Sequence, residues 1–480
     1  MINIFLITIA VCCISLSSSS VTKIDEKART RATVVANNLL CSYTNFNGLF
    51  DFELLWQAGN TIETLSNYVT DGILSKNQLQ DVLNNTYYLT KEVVDNCYDD
   101  NQWWLLGWLS AYEATGVIEY LERAAAVFDY VVANAWTDVC GGGVMWCPTD
   151  NPTNEYKNAV TNELFFIAAM RLNEYEKLLT NVTSGYYLEW AVKEWSWFEN
   201  SGMINSDYLI NDGLDNPSCT NNKQTTWTYN QGLLLDALGM LAKATNNNTL
   251  VSLGESLAYS SMTKLVTSGT TSDSGILEEP CGTSCNGDQR IFKGVFVRHL
   301  SRFVTYMTNT TVKNKATSFL KSNADTVVKD ASSTIGGYGV LWQGPNPAES
   351  TVAELSAVAD LFDGAAINGW SPGTLDMVPL GLGDCTDSKG DTMPSCVTHS
   401  VSESKCSEAL NLVTSSVAYD YETDCFRRTK CRVFSNGASD TLCQELGKLW
   451  SFADGNATTV TSTNKKSRNY DKTLCVLKSS

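Results

Sequence analysis

Apolar residues recur at intervals of three and four along most of the chain from Val21 to Gly364, the pattern of amphipathic helices. Trp104, Trp108, Ala111 and Tyr112 form one stripe, and Tyr120, Leu121, Ala124, Phe128 and Val131 form the next. The same spacing predicts further helices near 25–41, 52–70, 77–94, 158–180, 185–199, 228–245, 249–267, 290–307, 311–328 and 350–363. Loops rich in Gly, Asn, Asp, Ser and Pro separate these segments. Short connections such as 114–116 alternate with long ones such as 201–226 and 269–288. Paired helices with short turns on one side and long loops on the other predict an α/α toroid. Its inner helices would present residues to a cleft built by the long loops. An irregular helical bundle fits the same periodicity.

The pattern breaks near 367–385, where Pro372, Pro379 and several glycines read as a linker. Beyond it stand seven cysteines: Cys385, Cys396, Cys406, Cys425, Cys431, Cys443 and Cys475. That density predicts a small disulfide-stapled module. At the other end, the apolar run Ile2–Leu16 is too short to span a bilayer and leads into serines, so 1–20 reads as a secretory signal. The expected organisation is therefore a signal at 1–20, an all-α catalytic domain at 21–366, a linker at 367–384 and a Cys-rich module of unknown role at 385–480.

Composition narrows the chemistry. The formal charge of −18 excludes a polyanionic partner such as nucleic acid or an anionic membrane, and suits a neutral or cationic ligand. The 16 cysteines form no CxxC pair or Cys/His cluster of the kind that binds zinc, so extracellular disulfides are expected. Sequons at Asn84, Asn181, Asn247, Asn309 and Asn456 agree with a secreted glycoprotein. No further segment reaches transmembrane length and the polar end carries no lipid-anchor signal, so a soluble monomer is expected.

There is no HExxH motif or GxxxxGK[ST] loop. With only His299 and His399 in the chain, a Ser/His/Asp triad is improbable. Carboxylates remain. In the stretch CYDDNQWWLLGWL, Asp99 and Asp100 open a helix directly before Trp103 and Trp104. Neighbouring side chains at a helix start diverge by about 100°, with carboxyl carbons roughly 5–7 Å apart. A retaining glycosidase needs its two carboxyl groups about 5–5.5 Å apart. Helix capping over a Trp-rich core also accounts for this motif taken alone.

Other helix starts repeat the mixture. Gln57 and Asn60 accompany Trp56; Asn162 and Glu163 precede an apolar run; Trp227, Tyr229, Asn230 and Gln231 stand together; Lys293 and Arg298 follow Phe292. Caps explain one or two such starts. Five together suggest one shared carbohydrate cleft, because amides bind hydroxyls and aromatic faces stack on sugars.

The series YDDNQWW, CGGG…W…YKNAVTNELF, TTWTYNQG and GDQRIFKGVFVRHL resembles glycoside hydrolase family 76, the endo-α-1,6-mannanases, over roughly 25–365. The resemblance implies an (α/α)6 barrel with its cleft across the helix N-termini, retaining hydrolysis of the α-1,6-mannose backbone of mannan, and no metal or organic cofactor. It makes Asp99 the nucleophile and Asp100 the acid/base. Trp56, Asn60, Trp103, Trp104, Asn162, Trp227, Tyr229 and Arg298 are the expected cleft-lining residues, with Glu163 pairing to Lys293 or Arg298. The chain departs from the family pattern at Leu55 to Asn60, at Met145 and at ESTVAELSAV (349–358), which bears on subsite preference. Two alternatives use the same cleft: a transglycosidase passing the covalent sugar to another sugar hydroxyl, and a mannan-binding protein without catalysis.

Overall fold

The computed structural model describes residues 24–373, except 46, 51–53, 92–96, 181, 269–274, 332–336, 346 and 348–349, together with strand segments between 385 and 479. The expected signal, the sequon Asn181 and most of the linker lie outside the described residues, and the sequon Asn456 falls in the strand Gly455–Thr461, whose side chains are not described.

Twelve α-helices follow one another in the first part: α1 (Glu26–Cys41), α2 (Leu55–Thr70), α3 (Lys76–Leu89), α4 (Tyr98–Thr115), α5 (Ile118–Ala135), α6 (Ala159–Tyr175), α7 (Tyr186–Phe198), α8 (Thr228–Thr245), α9 (Asn248–Lys264), α10 (Phe292–Phe303), α11 (Thr310–Ala331) and α12 (Val352–Ile367). Even-numbered helices touch in the closed cycle α2, α4, α6, α8, α10, α12 and back to α2, and odd-numbered helices lie outside them. This is the (α/α)6 toroid that the family resemblance implies and that the alternating loops suggest without excluding a bundle. The two rings differ in burial for a physical reason. An inner helix has neighbours on every side, so α6 and α8 are buried almost throughout, whereas α3 buries only Leu79, Leu83 and Thr86.

Close packing of the inner ring requires small residues at crossings. A Cβ on Gly107 of α4 would lie 2.5 Å from the carbonyl oxygen of Gly59 on α2, so these helices meet backbone to backbone. Helix ends differ from the sequence expectation by local chemistry. The segment 158–180 stops being α-helical at Tyr175 and tightens into a 3-10 turn at Glu176–Leu178. Helix α3 ends at Leu89 rather than at residue 94.

The barrel axis is ionic. Arg298 on α10 donates to both carboxylate oxygens of Asp360 on α12 at 3.0 and 2.7 Å, and to Asn60, Glu63 and Thr64 on α2 at 2.9, 2.7 and 2.7 Å. The other oxygen of Glu63 accepts from Arg171 on α6 at 3.0 Å, and Arg171 reaches Glu113 and Ser110 on α4 at 2.9 Å. Burial pushes the Glu63 carboxyl up, but the Arg298 and Arg171 guanidinium groups outweigh it and hold the pKa below the ordinary value. The pairing expected for Glu163 is corrected here: Arg298 is taken by Glu63 and Asp360, and Lys293 donates to the carbonyl of Leu277 at 3.2 Å.

Six of the seven cysteines between residues 21 and 300 form disulfides: Cys97–Cys147, Cys140–Cys219 and Cys281–Cys285. The side chain of the seventh, Cys41, is outside the described residues. In the Cys-rich tail, strands at Tyr421–Phe426, Lys430–Asn436, Gly455–Thr461 and Lys472–Ser479 form an antiparallel sheet, with the last strand between the second and third. Cys425 and Cys431 are register partners across the first pair.

Breaking a buried ion pair on one side leaves an uncompensated charge. Arg298→Met is therefore expected to lower unfolding stability by about 3–5 kcal/mol, measured by urea titration of the full chain.

Candidate active site

All six inner helices run the same way, so their N-termini gather at one mouth of the toroid. The longer loops enter at this mouth, and the polar-aromatic helix starts seen in the sequence assemble there.

Helix α4 supplies the tandem aspartates in its first turn. Its entry is pinned by three neighbouring contacts: the Cys97–Cys147 disulfide, the Tyr98 amide donating to the Trp146 carbonyl at 2.8 Å, and the Trp146 indole N–H donating to Asp99 Oδ2 at 2.9 Å. An indole N–H donated to a carboxylate fixes its orientation. Asp99 and Asp100 are both half-buried, so they are accessible from the mouth.

Asn162 stands one layer behind. Its amide pairs with Val144 as a peptide group would, accepting from the Val144 N–H at 2.6 Å and donating to the Val144 carbonyl at 3.0 Å. It therefore steadies the segment that carries Trp146. The preceding CGGG run is a packing device: Gly143 has φ +82°, and a Cβ there would lie 2.6 Å from the Trp197 ring.

The floor of the mouth is aromatic. Trp56 and Trp103 ring centroids are 5.3 Å apart, Trp103 is nearly parallel to Tyr229 at 6.4 Å, and Tyr229 stacks on Phe292 at 3.8 Å. Trp227 meets Phe292 edge-on at 5.9 Å. Trp56 also donates to Asp288 at 2.9 Å. Burial, followed by the nearby carboxylates Asp212, Asp99, Glu163 and Glu279, pushes the Tyr229 hydroxyl pKa well up.

Of the residues expected to line a cleft, Trp56, Trp103, Trp227 and Tyr229 are thus brought together beside Asp99 and Asp100. The other four lie elsewhere. Asn60 and Arg298 belong to the ionic axis, Asn162 is fully buried behind Trp146, and Trp104 turns toward α2, donating to the Leu55 carbonyl at 3.0 Å. Sequence reasoning missed Trp146, Asp212, Asp288 and Glu279 as site neighbours. All four lie on the connecting loops, where no periodicity fixes direction. The Tyr156 hydroxyl donates to Asp212, joining two of these loops.

Beneath Tyr229, Glu163 is fully buried, and both its carboxyl oxygens lack a hydrogen-bond partner among the described residues. Burial first, then the Asp212 and Glu194 carboxylates, push its pKa well above the ordinary value. Among the described residues, no group of three or more His, Cys, Asp or Glu side chains could hold a metal ion.

The family model for Glycosyl hydrolase family 76 matches residues 27–371. The chain belongs to this family. A Schizosaccharomyces pombe relative is 31% identical over 270 residues, covering 52% of this chain and 58% of the relative. Mannan endo-1,6-alpha-mannosidase DCW1 of Saccharomyces cerevisiae is 27% identical over 345 residues, covering 66% of this chain and 74% of DCW1. The family 76 member thus spans somewhat over half of the first relative's length. The fold is shared with an inactive α-1,6-mannanase variant of Salegentibacter sp. HEL1_6 in complex with α-1,6-mannotetrose, at TM-score 0.60 and 21% identity, covering 71% of this chain and 99% of that one. Dfg5 of Chaetomium thermophilum, in complex with glucosamine, gives TM-score 0.59 at 18% identity, covering 73% and 92%.

A raised carboxyl pKa stabilises the fold fully below the unfolded value, and that stability is lost as pH rises through the folded value. The melting temperature of the native chain is therefore expected to fall above about pH 4.5. Glu163→Gln should flatten this fall and raise the melting temperature at neutral pH, read by calorimetry across a pH series.

Proposed function

We propose that this family 76 member is a secreted, retaining endo-α-1,6-mannanase, with residues 21–366 as its catalytic domain. The observation that carries the reading is the tandem Asp99–Asp100 pair at the mouth, with Asp99 oriented by the Trp146 indole. Asp99, as the carboxylate nucleophile, attacks the anomeric carbon of a mannose unit while Asp100 protonates the departing O6. The product is a mannosyl ester on Asp99. Asp100, now a base, takes a proton from water, which cleaves the ester and restores both carboxyl groups with net retention.

Trp227 and the exposed edges of Trp56 and Tyr229 would form the apolar bed on which sugar rings lie, with the fully buried Trp103 supporting them from beneath. Asn60, Trp104, Asn162 and Arg298 are assigned to the frame rather than to sugar contact, since their surroundings are protein. The mannan reading draws support from the names of yeast relatives such as DCW1. It is also supported by a neighbour of the same fold, an α-1,6-mannanase inactivated by substituting two consecutive aspartates and complexed with α-1,6-mannotetrose. Secretion rests on the apolar stretch at 1–20, the three disulfides and the exposed sequons Asn84, Asn247 and Asn309. No helix among the described residues is long and apolar enough to cross a membrane.

Linear α-1,6-mannan should be cut to short oligosaccharides by the native chain. Asp99→Asn and Asp100→Asn should each lower kcat/KM by on the order of 10³-fold or more, read by reducing-end release. Normal turnover in either variant overturns the assignment. Trp146→Phe keeps the ring but removes the donor to Asp99. Because Trp146 is 42% exposed, the expected loss is about tenfold in kcat, at the modest end for a bond to a charged group.

A further inference from the structure

On the outer wall of the toroid, a groove of about 580 Å³ runs between loop 205–209, α9 and the start of α11. That volume lies in the range of about 300–1,000 Å³ usual for small-molecule sites. Two tyrosines in its lining are unusually open to solvent: Tyr208 at 48% and Tyr259 at 47%.

Tyr208 is held in place at a cost. Its φ of +54° is left-handed, a conformation that bulky side chains rarely adopt. The loop over-determines it. The Asn205 side chain accepts from the Asp207 and Leu209 amides at 2.9 and 3.1 Å, the Tyr208 amide donates to the Asn205 carbonyl at 3.0 Å, and the Ser260 hydroxyl of α9 donates to the Asp207 carbonyl at 2.5 Å. An aromatic ring presented to water on so rigid a turn is pre-organised for stacking.

The polar lining points to a neutral, hydroxyl-rich ligand. Ser252, Ser256 and Thr263 donate their protons to carbonyls of their own helix, which leaves the hydroxyl oxygens as acceptors. The charges are already spoken for: Asp207 pairs with Lys264 at 2.5 Å, and Glu255 accepts from the Thr308 and Asn309 amides at 2.6 Å. With Lys315 standing 5.4 Å over one face of the Tyr259 ring, the two acids and two bases of this wall balance, which suits an uncharged partner stacking on the ring's other face in a chain of formal charge −18.

We propose that this groove is a second, non-catalytic carbohydrate site that takes a segment of a neutral polysaccharide, with Tyr208 and Tyr259 as its stacking faces. That the polysaccharide is α-1,6-mannan rests on the function proposed above. The site would hold the polymer against the outer wall while another segment lies at Asp99 and Asp100.

The test is affinity electrophoresis of the full chain in gels containing linear α-1,6-mannan, a β-glucan or no polymer. Tyr208→Asn suits the left-handed backbone, Tyr259→Ala lies on an exposed helix face, and Tyr259→Trp keeps a stacking ring. The expected result is retardation of the native chain and of Tyr259→Trp. Tyr208→Asn and Tyr259→Ala should each weaken it about three- to tenfold, the scale of one lost stacking contact. All variants should keep kcat/KM on a mannotriose-sized substrate. Unchanged retardation in the Tyr208→Asn/Tyr259→Ala double variant, or no retardation of the native chain by either polymer, overturns the proposal. If β-glucan alone retards the chain and the tyrosine variants lose it, the groove stands while the mannan reading fails. Asn309 of the lining lies in a sequon, so Thr311→Ala, made in a glycosylating host, separates the remaining source. Retardation seen only in that variant would assign the groove to the protein's own glycan and overturn polysaccharide docking.

Discussion

The chain Asp360–Arg298–Glu63–Arg171–Glu113 runs through the centre of the toroid, and the rest of the molecule is arranged around its cost. Of these groups Asp360, Arg298, Glu63 and Arg171 are buried and Glu113 is partly exposed, and buried charges are stable only if each is paired with good geometry. The pairing here draws on α12, α10, α2, α6 and α4, five of the six inner helices. A helix sliding or turning within the ring would strand a buried charge. The axis therefore fixes the level at which each inner helix begins, and with it the height of every side chain at the mouth.

Above the axis the chemistry changes by layers. The ionic level is capped by the aromatic floor of Trp56, Trp103, Tyr229 and Phe292, and the half-buried aspartates stand above that floor. The floor covers the mouth-side end of the axis, whose other members Glu63, Arg171 and Glu113 line a separate cavity with His299 and Arg302. It also offers an apolar face beside the two carboxyl groups, as a stacked sugar needs. The loop carrying Trp146 is joined to the start of α4 by a disulfide and two hydrogen bonds, so the orientation of Asp99 does not depend on α4 alone.

Much of this was legible in the sequence. The twelve helices follow from apolar spacing, and the toroid from the family resemblance, which the alternating loop lengths suggest without excluding a bundle. The convergence of polar-aromatic helix starts correctly marked one mouth. What periodicity could not supply was depth. Arg298 lies six residues beyond the start of α10, about 9 Å down the helix axis, and Asn60 lies five beyond the start of α2. From sequence alone, both resemble cleft residues; in three dimensions both serve the ionic axis. Trp103 and Trp104 are adjacent, yet the turn of the helix sends one to the floor and the other behind it toward α2. Glu163, expected to find a cation, has none because Arg298 and Lys293 are already engaged. Asp212, Asp288 and Trp146 come from irregular loops whose course depends on disulfides that cannot be paired from spacing.

The central claim is that Asp99, oriented by Trp146, forms a covalent bond to the sugar. Incubating the native chain with a fluorinated mannosyl fluoride, which accumulates the ester, and mapping the adduct by peptide mass spectrometry tests it directly. The account predicts one hexosyl-type adduct on Asp99. An adduct on Asp100, or an active enzyme that forms none, would contradict it.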